Sequence, residues 1–187
     1  MSNTKRVINA GTVGNFMKTI NFPATKKELK SLKTGEIVYL SGRIITGRDQ
    51  AHKRLTETLK SGKKLPLELK GQAIYYVGPT PCKKGEIIGA CGPTTSRRMD
   101  AFTPLLLKIG LTAMIGKGNR SEEVRKAIKK EKAVYFSTLG GAAAYLKKRV
   151  LGAKIIAYKD LGPEAVYELE IKEFPAIVWI DSRGKSL

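Results

Sequence analysis

The sequence is poor in the residues that hold metals and clusters. Its 187 residues include two cysteines, one histidine and one tryptophan. Cys82 and Cys91 are too few to hold a metal cluster, and no His/Cys/Asp group has zinc spacing. A disulfide between them is allowed by count but has no support from context, and two cysteines suit a reducing cytoplasm. We therefore expect no metal site in this chain.

Long apolar runs and common catalytic signatures are also missing. The best membrane candidate, 105–115, is far shorter than the ~20 residues of a span and carries Lys108. The stretch 7–17 is broken by asparagines and glycines, which argues against a secretory signal. There is no GxGxxG fingerprint, no P-loop spacing and no nucleophile elbow. We expect a cytoplasmic protein that is neither a dinucleotide-binding enzyme nor a Ser-His-Asp hydrolase.

Acidic residues are scarce relative to basic ones. Sixteen Asp and Glu stand against 35 Lys and Arg, which gives a net charge of +19. This balance raises nucleic acid as a partner, because clustered cations release counterions from phosphates. A solvated basic surface and a face docked on an acidic subunit are the alternatives. The lysines are spread from Lys26 to Lys185, and no zinc-finger spacing or aromatic stacking motif accompanies them. The charge is thus the one feature of the sequence that supports a nucleic-acid-binding module.

What is present is an alternation of strand-like and helix-like segments. Residues 1–18 show no period and are interpreted as an N-terminal arm or leader, and 19–187 as a single domain. Strands are predicted at 36–46, 72–77, 86–91, 111–115, 133–137, 155–158, 166–171 and 177–180. Helices are predicted after Thr25 and at 49–60, 96–109, 121–130 and 140–149. This order predicts a layered α/β domain with a mainly parallel central sheet and a second, antiparallel sheet.

Three short runs each follow an apolar strand-like segment: 46–54, 92–100 and 116–118. Each sets cations beside glycines, hydroxyls or a predicted helix start. The carboxyl ends of the strands of an α/β sheet are where such folds bind small anions. The three runs therefore predict an anion pocket.

The first run places Arg48 and His52 four positions apart, so both share one face of a helix. Asp49 can cap that helix or orient a cation. The alternative is an N-cap followed by exposed basic residues.

The second run forces a turn at Gly92-Pro93, follows it with three hydroxyls and ends in Arg97 and Arg98. An arginine in a first helical turn opposes the helix dipole at a cost of about 0.3–1 kcal/mol, which indicates that an anion is expected there. The planar guanidinium suits a carboxylate because it can bind both oxygens. A capped helix with surface arginines remains the alternative. In the third run Lys117 lies between two glycines, a pattern that also describes plain turns.

Together these runs resemble a known family. The segments are ITGRDQAHKR at 45–54, YVGPTP at 76–81, GPTTSRRMD at 92–100 and IGKG at 115–118. In this order they resemble the β subunit of two-subunit class I fumarases, a module that also forms the C-terminal domain of single-chain class I enzymes and the β subunit of L(+)-tartrate dehydratase. The resemblance covers about 20–181.

The resemblance implies a swivelling β/β/α domain and reversible hydration of fumarate to (S)-malate, with L(+)-tartrate dehydratase as the alternative. It also implies a [4Fe–4S] cluster bound by a partner α subunit and not by this chain. By motif, Arg48, Arg98 and Lys117 would bind the substrate carboxylates, and Thr94 would move the proton at carbon. Asp49 and His52 would lie behind these residues, and Arg97 would face the surface or a subunit.

Overall fold

The computed structural model describes residues 17–138 and 140–187. Its strands are β1 Lys18–Phe22, β2 Ile37–Thr46, β3 Ala73–Tyr75, β4 Ala113–Gly116, β5 Val134–Ser137, β6 Val150–Ala157 and β7 Val166–Ile180. Its α-helices are α1 Lys26–Lys30, α2 Asp49–Lys60, α3 Thr103–Lys108, α4 Glu122–Glu131 and α5 Ala143–Lys147. Two 3₁₀ helices span Ser96–Met99 and Lys159–Glu164. The predicted N-terminal arm lies, up to residue 16, outside the described residues.

The seven strands form one mixed sheet in the order β1-β2-β3-β4-β5-β7-β6, with an additional pairing of β2 with β7. The neighbours from β1 to β5 pair in parallel, and β7 runs antiparallel to β2, β5 and β6. Since β7 pairs with both β2 and β5, the pairings close into a ring, β2-β3-β4-β5-β7. The predicted α/β class is confirmed. The antiparallel strands expected as a second sheet are instead hydrogen-bonded into the first one.

Alternate side chains of the strands enter two separate cores. In β3, Ala73 and Tyr75 join a first core, to which β1, α1 and β7 also contribute. Ile74 joins a second core, which lies under α2, α3 and α4. In β2, Ile44 and Ile45 divide in the same way. This follows from the two-residue period of a strand, and it leaves both faces of the parallel run buried. Helices α2, α3 and α4 cover the second core.

Two predicted helix starts are confirmed by their caps. The Thr25 hydroxyl accepts the Glu28 N–H at 3.3 Å, and the Glu28 carboxylate accepts the Thr25 N–H at 2.7 Å, which completes the capping box. Ser121 caps α4 through Val124 N–H at 3.3 Å. Helix α2 begins at Asp49 as predicted, but its N-cap residue is Arg48, whose side chain makes no capping hydrogen bond. The Asp49 carboxylate is thus not used as a cap.

The strand predicted at 86–91 is wrong. The segment folds back as a loop, where Thr80 N–H donates to Ala90 O at 3.2 Å and Ala90 N–H donates to the Thr80 hydroxyl at 2.8 Å. Gly89 lies so close to the Thr80 carbonyl that a Cβ there would overlap it. An apolar run alone did not distinguish this loop from a strand.

The boundaries of other elements also differ from prediction, most of all in three places. The helix predicted at 96–109 is divided into the 3₁₀ helix Ser96–Met99 and α3. Strand β6 begins at Val150 rather than at 155. The two strands predicted at 166–171 and 177–180 are one strand, β7, which passes through Glu173 with a positive φ of 50°.

Candidate functional site

The three predicted runs meet at one edge of the sheet. Arg48 follows β2 and Lys117 follows β4, so both leave the carboxyl ends of parallel strands. The loop after β3 returns to the same edge, where Thr94 N–H donates to Tyr76 O at 2.7 Å. Beside it, Ser96 N–H donates to Lys117 O at 3.0 Å. The Thr94 segment therefore runs alongside the first residue after β4, as the parallel bridge between Thr95 and Lys117 also shows.

An aspartate joins the first run to the second. Arg98 Nε donates to Asp49 Oδ1 at 3.0 Å and Arg98 Nη2 donates to Oδ2 at 2.7 Å, which is a two-point contact between guanidinium and carboxylate. Arg48 Nε lies 4.0 Å from the same Oδ2. The side chain of Arg98 is 51% exposed, against 25% for Asp49, so the contact is open to solvent on the arginine side. Asp49 thus holds Arg98 by one edge and leaves Nη1 out of the contact.

The side chain of Arg48 packs against Gly78, which has no side chain to exclude it. A Cβ at Gly78 would lie 2.8 Å from both Cδ and Nη1 of Arg48, so the guanidinium packs directly on this backbone. Arg48 Nη2 lies 3.8 Å from Glu164 Oε1, and the other oxygen of Glu164 accepts the Gln50 N–H at 2.8 Å. Arg48 Nε is buried and has no hydrogen-bond partner among the described residues. The side chain therefore has donor capacity for an anion.

His52 is buried behind Arg48. Its side chain packs against the rings of Tyr76 and Phe102, with centroids 5.3 and 6.1 Å away. The Arg48 carbonyl lies 2.8 Å from His52 Nδ1 and also accepts the His52 backbone N–H at 2.9 Å. Burial lowers the pKa of His52 to about 4, so the ring is neutral near pH 7 and Nδ1 is the protonated nitrogen that donates. His52 is not an exposed basic residue; it fixes the backbone of Arg48.

Glycines lie on both sides of Lys117 in the sequence, and the first of them is tightly packed. A Cβ at Gly116 would overlap the Ser96 hydroxyl, so this position must stay small for the Thr94 segment to approach β4. Gly118 has a φ of +79°, which favours glycine. Gly140 lies beside the lysine, since its Cβ position is 3.8 Å from Lys117 Cδ. Lys117 is half-buried at this edge.

The two neighbouring arginines of the second run point differently. Arg98 turns towards Asp49, whereas Arg97 is exposed and lies near Glu123 of α4. Sequence reasoning missed a further arginine, Arg120. Its side chain is fully buried, and its Nε lies 2.6 Å from Asp100 Oδ1. Its place three residues after Lys117 was the one available signal, and burial of a cation cannot be read from that spacing.

The cysteines do not form a metal site. Cys91 is buried, its Sγ lies 3.2 Å from Gly89 O, and burial raises the pKa of its thiol to about 11. Cys82 is exposed, and neither is in a disulfide. Within residues 17–138 and 140–187 no group of three or more His, Cys, Asp or Glu is arranged to hold a metal ion. This donor set does not fit a cubane cluster, which needs deprotonated thiolates.

No helix in the described part of the chain is both long and apolar enough to cross a bilayer.

Comparison with known proteins finds one family and several relatives. The profile of the family described as Fumarase C-terminus matches residues 5–187. A putative L(+)-tartrate dehydratase subunit beta of Methanocaldococcus jannaschii is 42% identical over 169 residues, which are 87% of each chain. The anaerobic class I fumarate hydratase of Escherichia coli K12 is 41% identical over 147 residues, 78% of this chain and 27% of that one. Fumarate hydratase 1, mitochondrial, of Leishmania major is 39% identical over 164 residues, 87% of this chain and 30% of that one. The chain thus matches the subunit almost throughout and spans less than a third of these two hydratases.

Proposed function

The chain belongs to the Fumarase C-terminus family, and from this membership we propose that it is the β subunit of a hydro-lyase that reversibly hydrates fumarate to (S)-malate. The observation that carries the proposal is the meeting of Arg48, Arg98, Lys117 and Thr94 at one edge of the sheet. The proposal includes a single catalytic domain over 19–187, the swivelling β/β/α arrangement and a cytoplasmic location.

In this proposal the three cations hold the two carboxylates of the substrate. Arg48 has a buried N–H with no hydrogen-bond partner among residues 17–138 and 140–187, and Arg98 is aligned by Asp49 with one terminal nitrogen outside that contact. Lys117 supplies a third positive charge from the neighbouring strand end. Asp49 and Glu164 offset part of the charge of the arginines, and the three cations still supply fixed N–H donors for a dianion and for negative charge that develops on it.

Thr94 carries the proton at carbon. In hydration one alkene carbon takes the hydroxyl and its neighbour takes a proton, and dehydration reverses both. A threonine hydroxyl is a poor base in water, but neighbouring cations stabilise its deprotonated form. The bond from Thr94 N–H to Tyr76 O fixes the backbone of this residue.

The [4Fe–4S] cluster that the family resemblance implies has no ligand set in the described part of this chain, and we assign it to a partner α subunit. The relative named as a subunit beta supports a two-chain enzyme.

A second substrate, L(+)-tartrate, has one specific observation in its favour. The relative named for it matches this chain over 87% of both lengths. Tartrate is also a four-carbon dicarboxylate, so the same three cations fit it. Tartrate differs from (S)-malate at the inner carbons, where tartrate carries a second hydroxyl.

The test is anaerobic co-expression with the α subunit, followed by assays of fumarate hydration and L(+)-tartrate dehydration. We expect the complex to turn over one of the two, and the chain purified alone to contain no iron and show no activity. Stoichiometric cluster iron in the lone chain would contradict the division of labour. Retention on nucleic acid that falls steeply with salt, in a complex inactive on both acids, would favour the nucleic-acid-binding alternative.

A further inference from the structure

A fully buried arginine lies beneath the candidate site. The side chain of Arg120 is 0% exposed, and its guanidinium lies between two aromatic rings, 4.9 Å from the Tyr135 centroid and 5.2 Å from that of Tyr76. Arg120 Nε donates to Asp100 Oδ1 at 2.6 Å, and Nη2 donates to the Thr103 hydroxyl at 2.8 Å. Charge and hydrogen-bonding capacity are thus largely satisfied inside the protein.

The carboxylate of Asp100 joins two of the site's segments. Asp100 follows directly after the 3₁₀ helix that contains Arg98. Its Oδ1 accepts from Arg120, and its Oδ2 accepts the Ser121 N–H at 2.6 Å. Ser121 and Arg120 belong to the loop that begins at Lys117. One carboxylate therefore fixes the Arg98 segment to the Lys117 segment.

Tyr135 makes a second connection between the same segments. Its hydroxyl lies 2.9 Å from the Ser96 hydroxyl and 2.8 Å from Gly118 O. Burial raises the pKa of Tyr135, so the hydroxyl stays protonated and can donate. Ser96 comes two residues after Thr94, and Gly118 comes one residue after Lys117. The ring of Tyr135 is one of the two that enclose Arg120.

The residue that carries the other enclosing ring, Tyr76, contacts Thr94 through its backbone. Tyr76 packs on Arg120 through its ring and accepts the Thr94 N–H through its carbonyl. Arg120 is therefore in contact with residues that position each of the two segments.

Stability alone does not account for this arrangement. Replacing a buried ion pair with apolar side chains of similar volume is often neutral or stabilising, because desolvation offsets the attraction. We propose that Arg120 is a positioning residue that sets where Thr94 and Lys117 lie relative to each other. This inference rests on the proposed function. Arg120 acts through Asp100, Tyr76 and Tyr135 and does not touch substrate.

The first experiment uses the α–β complex with Arg120→Lys and Tyr135→Phe. Lysine keeps the charge but cannot reproduce the fork, and phenylalanine keeps the ring but removes the hydroxyl. We expect kcat to fall by about 10²-fold in Arg120→Lys and by about tenfold in Tyr135→Phe, because displacements near 1 Å at a reacting group have effects of this size. We expect KM to rise by a smaller factor than kcat falls, since Lys117 is displaced but Arg98 stays on Asp49. Arg149→Lys is the matched control: Arg149 also lies over a tyrosine, Tyr145, and beside a carboxylate, yet outside the site. It should leave kcat unchanged.

A second readout does not depend on activity. In the full chain, hydrogen exchange of the Ser96 amide, which donates to Lys117 O, should accelerate by about tenfold or more in both variants, while amides of β2 keep their protection. If the wild-type complex acts on neither acid, the proposed function fails, and this measurement still decides the positioning role.

Three results would overturn the inference. The first is a folded Arg120→Lys complex with wild-type kcat and wild-type Ser96 exchange. The second is a uniform loss of protection in Ser96 and β2 alike, which would make Arg120 purely structural. The third applies if Arg120→Lys does not fold, because Tyr135→Phe then decides alone. It is a Tyr135→Phe complex with wild-type kcat and wild-type Ser96 exchange.

Discussion

The buried histidine makes a pH-dependent prediction that can be assigned to one side chain, because His52 is the only histidine in the chain. Burial lowers its pKa to about 4 in the folded protein, against an ordinary value of about 6.5. Between these values the unfolded chain binds a proton that the folded chain does not. The stability that His52 contributes is therefore complete above about pH 6.5 and is lost as the pH falls towards 4.

The size of the effect follows from the shift. At about 1.4 kcal/mol per pKa unit, the total loss is about 3 kcal/mol, of which about 2 kcal/mol is lost between pH 7 and about pH 5. Some carboxylates also titrate near this range, so a matched variant is needed. His52→Asn keeps a side-chain N–H near the position of Nδ1 for the Arg48 carbonyl but has no proton to gain.

The assay is urea unfolding of both proteins at pH 7 and about pH 5. We expect the wild type to lose about 2 kcal/mol more than His52→Asn over this interval, whatever their absolute stabilities. NMR of the single imidazole gives the pKa directly. An imidazole that titrates near 6.5 in the folded protein, with equal losses in the two proteins, would refute the argument from burial.

Three further predictions concern the reconstituted enzyme. Arg98→Lys should lower kcat/KM by about tenfold or more because it loses two-point binding, whereas Arg97→Lys should change little; a reversal would show that the wrong arginine was chosen. Thr94→Ala should lower kcat by about 10²-fold with little change in the affinity for a dicarboxylate inhibitor, and Thr94→Ser should keep part of the rate; a normal kcat in Thr94→Ala would remove threonine from the mechanism. Asp49→Asn should raise KM more than it lowers kcat, because Arg98 loses its alignment, and an unchanged KM would show that Asp49 does not orient it.

Local signals predicted local structure well. Helix α2 was located from Asp49 to Lys60 because Ala51, Leu55 and Leu59 repeat on one stripe and Gly62 follows its end. The same kind of reasoning failed at 86–91, since a strand needs a neighbouring strand and this run packs against a loop instead.

Contacts between distant segments could not be predicted from spacing. Arg98 and Asp49 are 49 positions apart, and their contact depends on where β2 and the loop after β3 end. Motif resemblance identified both residues but not this pairing. The burial of Arg120 could not be predicted, because an arginine in a loop is usually solvated and only the packed structure shows it buried. The extent of β7 was hidden for a related reason, as the charged residues around Glu173 divide one strand into two apolar runs.

The ring of strands also decides when the site can exist during synthesis. Strand β2 leads into Arg48, yet it pairs with β7, whose residues follow more than 120 positions later. The ribosome delivers the residues of the site well before the strand that completes the ring around them. Such distant pairing is characteristic of slow folding, because the loop must close before the contacts stabilise it. A nascent chain that stops short of β7 would hold every motif of the family and still lack the frame that brings them together.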